Sequence, residues 1–223
     1  MLLTLAAPTR NAAAGLTEAE QRWLQGMAPV IEHAQSAQLP LDIVVQPQPT
    51  PGLPPLAMAF VAGRCKLVLS MRGNPLAQAA LERLDPALHD AALELMAAHE
   101  LGHCQRHLQG AWAALPAGFS APAAPAGLAP ALLADLARMR VAQREEGFGD
   151  LVGLAWTRQR HPRLYAALYR WLWAERSRNR ISGSHHDTLP WLRLTPEATA
   201  FSAGGSIFAD AERLWAQGLT QAE

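Results

Sequence analysis

The sequence lacks three features that would place it in a familiar class: abundant cysteine, an excess of charge and a long apolar run. Its two cysteines, Cys65 and Cys104, do not make the disulfide framework of a small secreted domain, so we expect two reduced thiols. The 19 basic and 19 acidic residues balance, which argues against nucleic acid or an anionic membrane as a partner. No apolar run reaches the roughly 20 residues of a transmembrane helix, so we expect no integral membrane segment.

The first residues, Met1 to Ala7, are mostly apolar, but we expect no secretory signal in them, because the run is short and has no basic start. The sequence therefore predicts a cytoplasmic protein. A length of 223 residues, half of them hydrophobic, suits a single domain with a sizeable core. The sequence leaves the oligomeric state open.

One short stretch, Ala98 to Cys104, carries the pattern H-E-x-x-H. Helical spacing places His99 and His103 one turn apart on one face, where both imidazoles can bind a single ion. The apolar residues before the motif recur at helical spacing, and Asp85 before a proline is typical of a helix start. Glu100 can take a proton from a metal-bound water and act as general base. The alternative is a chance match, which would leave polar side chains on an apolar helix face without a role.

A catalytic zinc takes three protein ligands and leaves the fourth position to water. His107 follows His99 by two helical turns, about 12 Å along the axis, which is too far for one ion. Glu146 is the better third ligand, and Asp150, four residues later on the same helical face, can accept the other ring N–H of a ligand histidine. Glu145 is the second choice as ligand and is otherwise expected to be solvated.

The periodicity predicts an α+β fold, mainly α, as one domain over residues 1–223. Its parts are an N-terminal helix in 1–40, a sheet and the metal helix in 41–110, an Ala/Pro-rich loop in 111–130 and a helical part in 131–223. Thr17 and Glu20 form a capping box at the first helix. Residues 57–71 form a β-hairpin that turns at Gly63. The loop lies between the two segments that carry metal ligands, and it is either a lid or a plain linker.

The second strand of this hairpin, Cys65 to Ser70, shortly precedes the metal helix. An exposed strand edge binds an extended peptide through main-chain hydrogen bonds. We therefore predict Lys66, Leu67 and Val68 as substrate-binding residues. The alternative is a sheet that only covers the core.

A helix with H-E-x-x-H followed by a later helix with E-x-x-x-D resembles the gluzincin metallopeptidases. The sequence is most similar to the HtpX-like and CAAX-prenyl-protease-like peptidases in a soluble, minimal form, over about residues 58–193. This resemblance implies a zincin-like fold with a strand edge before the metal helix, and one Zn²⁺ per chain. It also implies His99, His103 and Glu146 as metal ligands, Glu100 as the catalytic base and Asp150 as the carboxylate behind a ligand.

The same family has a late loop in which a histidine stabilises the tetrahedral intermediate, within a His-Pro pattern followed by an arginine. In this chain His185, His186 and Arg193 occupy that place, and Asp187 can hold one imidazole in position. The immediate His-Pro is absent, so either histidine could serve. Gly149 stands where the family has an alanine before the aspartate.

The sequence therefore predicts a zinc metalloendopeptidase that acts on a peptide or protein substrate. One alternative is a zinc-stabilised binding module or pseudoenzyme, whose closed site would need Cys104 or His186 as a fourth ligand. The other is a regulatory peptidase that acts on one partner, because Ala-His-Glu-Leu-Gly-His also resembles the ImmA type.

Overall fold

Helices dominate the computed structural model, which describes residues 15–48, 50–119, 126–178 and 180–220. The α+β, mainly α class predicted from the sequence is confirmed. The segment Met1 to Ala7 lies outside the described residues. The elements in chain order are α1 (Glu18–Ser36), β1 (Leu41–Pro47), β2 (Leu56–Val61), β3 (Arg64–Arg72), α2 (Pro75–Glu82), α3 (His89–Leu108), α4 (Pro130–Arg160), α5 (Tyr165–Ser177), α6 (Leu189–Leu192) and α7 (Ile207–Leu219).

Helix α1 begins with the predicted capping box. The Thr17 side chain accepts a hydrogen bond from the Glu20 backbone, and the Glu20 carboxylate accepts one from the Thr17 backbone. Glu20 is fully buried and also pairs with Arg72 at 2.8 Å, at the end of β3. The cap therefore fixes α1 to the sheet as well as starting the helix.

The sheet has the strand order β1-β3-β2. Strands β2 and β3 are antiparallel and form the predicted hairpin, whose two turn residues, Ala62 and Gly63, both have positive φ. Two central residues with positive φ make a turn that matches the twist of paired strands. Strand β1 lies parallel to β3 on its other side.

This order corrects the prediction that Lys66, Leu67 and Val68 offer a strand edge. Strand β3 is the central strand: Lys66, for example, pairs with Asp42 on one side and with Ala59 on the other. Its main-chain groups are therefore used within the sheet. The prediction was wrong because the parallel pairing of β1 joins residues more than 20 positions apart, and no local pattern in the sequence indicates it. The edge strand that packs on α3 is β2.

The expected pair of reduced thiols is also corrected, because Cys65 and Cys104 form a disulfide. Both residues are completely buried, and their Cα atoms are 5.6 Å apart. The count of two cysteines gave no hint that the sheet places one of them directly under the metal helix. Disulfides are typical of oxidising compartments, which is at odds with the expected cytoplasmic location. Among the described helices, none has the length and apolarity to cross a membrane.

Helix α3 begins after a 3₁₀ turn at Pro86–Leu88, where the Asp85 side chain accepts the backbone N–H of Ala87. This confirms the predicted start of the metal helix. Helix α3 packs most extensively on α4, and glycines set their separation. A Cβ at Gly153 would lie 2.8 Å from the carbonyl oxygen of Leu95, so only glycine permits this approach of the two backbones.

The loop between α3 and α4 is irregular over residues 111–119 and 126–129, as predicted. Residues 120–125 of this predicted loop lie outside the described part of the chain. Helices α4, α5 and α7 make up most of the helical part that was predicted for residues 131–223. Helices α5 and α7 pack against α4 and so complete the helical half that carries Glu146.

Candidate metal centre

Three predicted ligand side chains converge at the contact between α3 and α4. The Nε2 atoms of His99 and His103 are 3.0 Å apart. The Glu146 carboxylate places Oε2 at 3.5 Å from the first nitrogen and Oε1 at 3.6 Å from the second. Tetrahedral zinc with bonds of about 2.0–2.1 Å holds its ligand atoms roughly 3.3 Å apart. The three side chains therefore fit a zinc ion, and within the described residues they form the one such group of histidine, cysteine and carboxylate side chains.

Local backbone geometry explains how the two helices bring these groups together. His99 and His103 stand one turn apart on α3, and both are 7% exposed. Gly149, one turn after Glu146 on α4, leaves room for the first imidazole. A Cβ at Gly149 would lie 2.7 Å from Cε1 of His99. Glycine at this position is therefore required by the ring that it faces.

Asp150 lies directly behind the first ligand, as predicted. Its Oδ1 is 2.9 Å from Nδ1 of His99, so an Nδ1–H donates to Asp150 and leaves the Nε2 lone pair turned toward the group. Asp150 is completely buried and also accepts a 2.6 Å hydrogen bond from the Thr188 hydroxyl. Burial alone would lower the pKa of His99, but the Asp150 contact and the charge of Glu146 outweigh it and raise the pKa above 6.5.

Arg176, on α5, belongs to the surroundings of the three side chains although the sequence did not lead us to predict it. Its guanidinium donates to Asp150 at 2.6 and 2.8 Å and to Glu146 at 3.2 Å. Despite burial, which acts the other way, its charge helps to hold the pKa of Asp150 far below the ordinary value. The signal was present, because Arg176 follows the buried Leu168 and Leu172 at helical spacing. A cation on an apolar stripe needs a buried partner.

Glu145, the second choice as ligand, takes no part in the group. It is 1% exposed and pairs with Arg106 through two hydrogen bonds of 3.0 Å. The expectation of a solvated residue was therefore wrong. Consecutive residues on a helix point about 100° apart, so Glu145 meets a different neighbour from Glu146.

A cleft of about 700 Å³ opens onto the group. Glu100, the predicted base, lines this cleft and is partly exposed. The edge strand β2 lines it with Leu56, Ala57 and Met58. This is the edge next to the metal helix, in place of the predicted Lys66 to Val68.

His185 and His186 line the same cleft, with their ring centres 4.0 Å apart. Both are exposed. Loss of water contact at the cleft wall lowers the pKa of His186 below 6.5, and the positive charge of Arg176 lowers it further. Both effects favour the neutral imidazole. The structure thus brings both predicted histidines to the cleft without distinguishing between them.

Asp187 does not hold either imidazole, which corrects the predicted role. Its carboxylate accepts hydrogen bonds from Arg180 and from the backbone N–H of Gly183. It therefore stabilises the turn that carries the two histidines. Arg193, the arginine expected after that loop, is exposed and does not line the cleft.

Comparisons of the chain with protein-family models, curated proteins and solved structures find no match.

Proposed function

We propose that this protein is a zinc-dependent peptidase. The observation that carries the proposal is the convergence of two imidazole nitrogens and one carboxylate within 3.0–3.6 Å, at a cleft that Glu100 also lines. Structural zinc sites are closed by four protein ligands, whereas catalytic sites have three. The alternative fourth ligand Cys104 is excluded here, because its sulfur is bonded to Cys65.

In this proposal His99, His103 and Glu146 hold the metal, and Asp150 fixes the ring orientation of His99. Zinc in such a site supplies Lewis acidity, which polarises the scissile carbonyl and makes water a competent nucleophile near neutral pH. Arg176 offsets part of the negative charge of Glu146 and Asp150. The protein thus supplies a cation site whose donors are already oriented.

Glu100 serves as general base and acid. It takes the proton from the attacking water and passes it to the leaving amine. Its neighbours in the chain, Leu101 and Gly102, are buried, while Glu100 itself reaches the cleft. His185 or His186 donates a hydrogen bond to the developing oxyanion, since a neutral imidazole keeps one N–H.

The substrate in this proposal is an extended peptide that pairs with the edge of β2. Strand β2 has its partner β3 on one side, and its cleft-side residues Leu56 to Met58 border the metal ligands. Main-chain pairing of this kind binds peptide without close reading of its sequence. It replaces the earlier assignment to Lys66, Leu67 and Val68.

The test is the Glu100→Gln variant in zinc-loaded form, assayed on a peptide mixture with mass-spectrometric detection of new termini. We expect peptide cleavage to fall by roughly 10²–10⁴-fold, the contribution of a positioned general base. Zinc content should remain at one per chain, because Glu100 is not a ligand. Glu175→Gln is the matched control, since Glu175 also lines the cleft but pairs with Arg83 at the surface.

Normal cleavage by Glu100→Gln would refute the assignment of the base. Zinc-loaded wild type that cleaves nothing in the mixture would instead favour the zinc-stabilised binding module.

A further inference from the structure

Three aromatic rings form a stack beside the metal ligands. The rings of Phe60 and His107 are 4.8 Å apart and 5° from parallel, and those of His107 and Trp112 are 4.1 Å apart and 8° from parallel. The stack joins β2, the end of α3 and the start of the following loop. Trp112 also meets the ring of the ligand His103 edge-on, with 5.7 Å between ring centres. The outermost ring of the stack therefore stands next to the metal group.

A buried ion pair, Arg106 with Glu145, fixes the loop backbone next to Trp112. The Glu145 carboxylate accepts the backbone N–H of Ala113 at 3.1 Å, and the Arg106 guanidinium donates to the carbonyl of Ala114 at 3.0 Å. Ala113 has a φ of 64°, a conformation that costs a non-glycine residue energy and persists only where the surroundings impose it. Arg106 and Glu145 thus fix the two residues that follow Trp112, and with them the position of its ring.

Trp112 remains 38% exposed although it is packed against two histidine rings. It lines the cleft together with Met58 of the edge strand and His103. An exposed, rigid aromatic surface in a cleft provides contact area for an apolar group at little cost in conformational entropy. Residues 112–114 are therefore neither a lid nor a plain linker: their contacts with Arg106, Glu145 and His107 hold them in place, and Trp112 lines the cleft.

We propose that Trp112 forms the wall of a subsite that selects a bulky apolar side chain next to the scissile bond. This inference rests on the proposed peptidase function and names the class of substrate residue that the site prefers. The aromatic face of Trp112 covers such a side chain, while β2 holds the main chain. A small residue at that position leaves the Trp112 ring exposed to water, and a charged residue loses its hydration against the ring. Peptides with either kind of residue therefore bind less well.

The experiment measures binding of amino-acid hydroxamates to the zinc-loaded protein. A hydroxamate chelates the metal and brings its own side chain next to it, so binding requires no turnover. For wild type we expect phenylalanine and leucine hydroxamates to bind roughly tenfold or more tightly than glycine hydroxamate, the discrimination that an apolar contact provides. In Trp112→Ala this ratio should fall below about threefold, while the affinity for glycine hydroxamate stays within about twofold. Trp112→Phe should keep most of the ratio.

Ile181→Ala is the control, because Ile181 is 71% exposed and lines the cleft beside the turn that carries His185 and His186. Its preference for phenylalanine and leucine hydroxamates over glycine hydroxamate should equal that of wild type. An unchanged ratio in Trp112→Ala would overturn the inference, and so would an equal loss for all three hydroxamates. Zinc-loaded protein that shows the expected Trp112 dependence but cleaves no peptide would refute the peptidase proposal and leave Trp112 as the wall of an apolar binding site beside the metal. Wild type that binds no zinc would overturn both.

Discussion

Two adjacent carboxylates on α4, Glu145 and Glu146, have opposite surroundings. Glu145 faces Arg106 in a closed, fully buried pair that also holds the backbone of the Trp112 loop. Glu146 faces His99 and His103 at the floor of an open cleft. We call these the closed pair (Arg106 and Glu145) and the open group (His99, His103 and Glu146).

The difference between them lies in how their charges are satisfied. In the closed pair the Arg106 guanidinium balances the buried Glu145 carboxylate and also reaches the half-exposed Glu212 at 3.4 Å. Both members of the pair make further hydrogen bonds to the loop backbone. Around the open group, three carboxylates, Glu100, Glu146 and Asp150, face one largely buried cation within the described residues, Arg176. This leaves an excess of negative charge that a divalent cation would balance. We infer that the closed pair serves the fold and the open group serves a ligand.

Replacing Glu146 and Glu145 with alanine, one at a time, should give the largest contrast in zinc affinity and in stability. Glu146→Ala should lose roughly a thousandfold or more in zinc affinity, because it removes one of three ligands, while the free energy of unfolding without metal changes by about 1 kcal/mol or less. Glu145→Ala should keep one zinc per chain and lose stability instead. The measurements are metal content by mass spectrometry and urea unfolding of the apoprotein. Full zinc content in Glu146→Ala would mean that the open group is not the metal site.

Removing the cation of the closed pair, Arg106, should have the next largest effect, on the free energy of unfolding. Arg106→Met leaves Glu145 buried and without its cation, which typically costs about 3–5 kcal/mol of stability. The double variant Arg106→Met/Glu145→Met should recover part of this loss, because no buried charge is left unpaired and Glu212, the other partner of Arg106, is half exposed. Urea unfolding of the single and double variants measures both values. A single variant as stable as wild type would show that the pair contributes nothing to the fold.

The disulfide is a second constraint on α3, and it lies on the side of the helix that faces the sheet. Cys65→Ala/Cys104→Ala should lower the free energy of unfolding by about 2–4 kcal/mol, because the unfolded chain loses a cross-link between residues 39 apart. Zinc affinity should change little, since neither cysteine is a ligand. Mass spectrometry of the alkylated wild type checks that the bond forms. Two free thiols in protein purified without reductant would contradict the bond itself.

The convergence of the open group could be predicted from the sequence because its determinants are local. The spacing of His99 and His103 fixes their common face on any helix, and the spacing of Glu146 and Asp150 does the same on α4. Packing of the two helices then needs only small residues at the contact, and Gly149 and Gly153 provide them.

Apart from the role of Asp187, whose partners lie in its own turn, the errors concern features that depend on long-range packing. The central position of β3 follows from its parallel pairing with β1, and the disulfide follows from the sheet lying under α3. The partner of Glu145 comes from another helix, and the cation Arg176 comes from a third. Periodicity shows which face of an element is buried, but it does not show which charge lies opposite.

Arg176 gives the smallest and most specific test of the comparison, because it contacts Glu146 of the open group and, like Arg106, pairs with a fully buried carboxylate. Its positive charge stabilises Glu146 and Asp150 when no metal is present, and opposes a cation at the same place. We therefore expect Arg176→Met to destabilise the apoprotein by about 2 kcal/mol or more and to raise zinc affinity about tenfold. Arg178→Met, which removes a more exposed cation that pairs with Glu175, should change zinc affinity by less than about threefold. Competition with a chelator of known affinity measures both. A loss of zinc affinity in Arg176→Met would mean that Arg176 acts chiefly by orienting Glu146, and the charge argument for the open group would then fail.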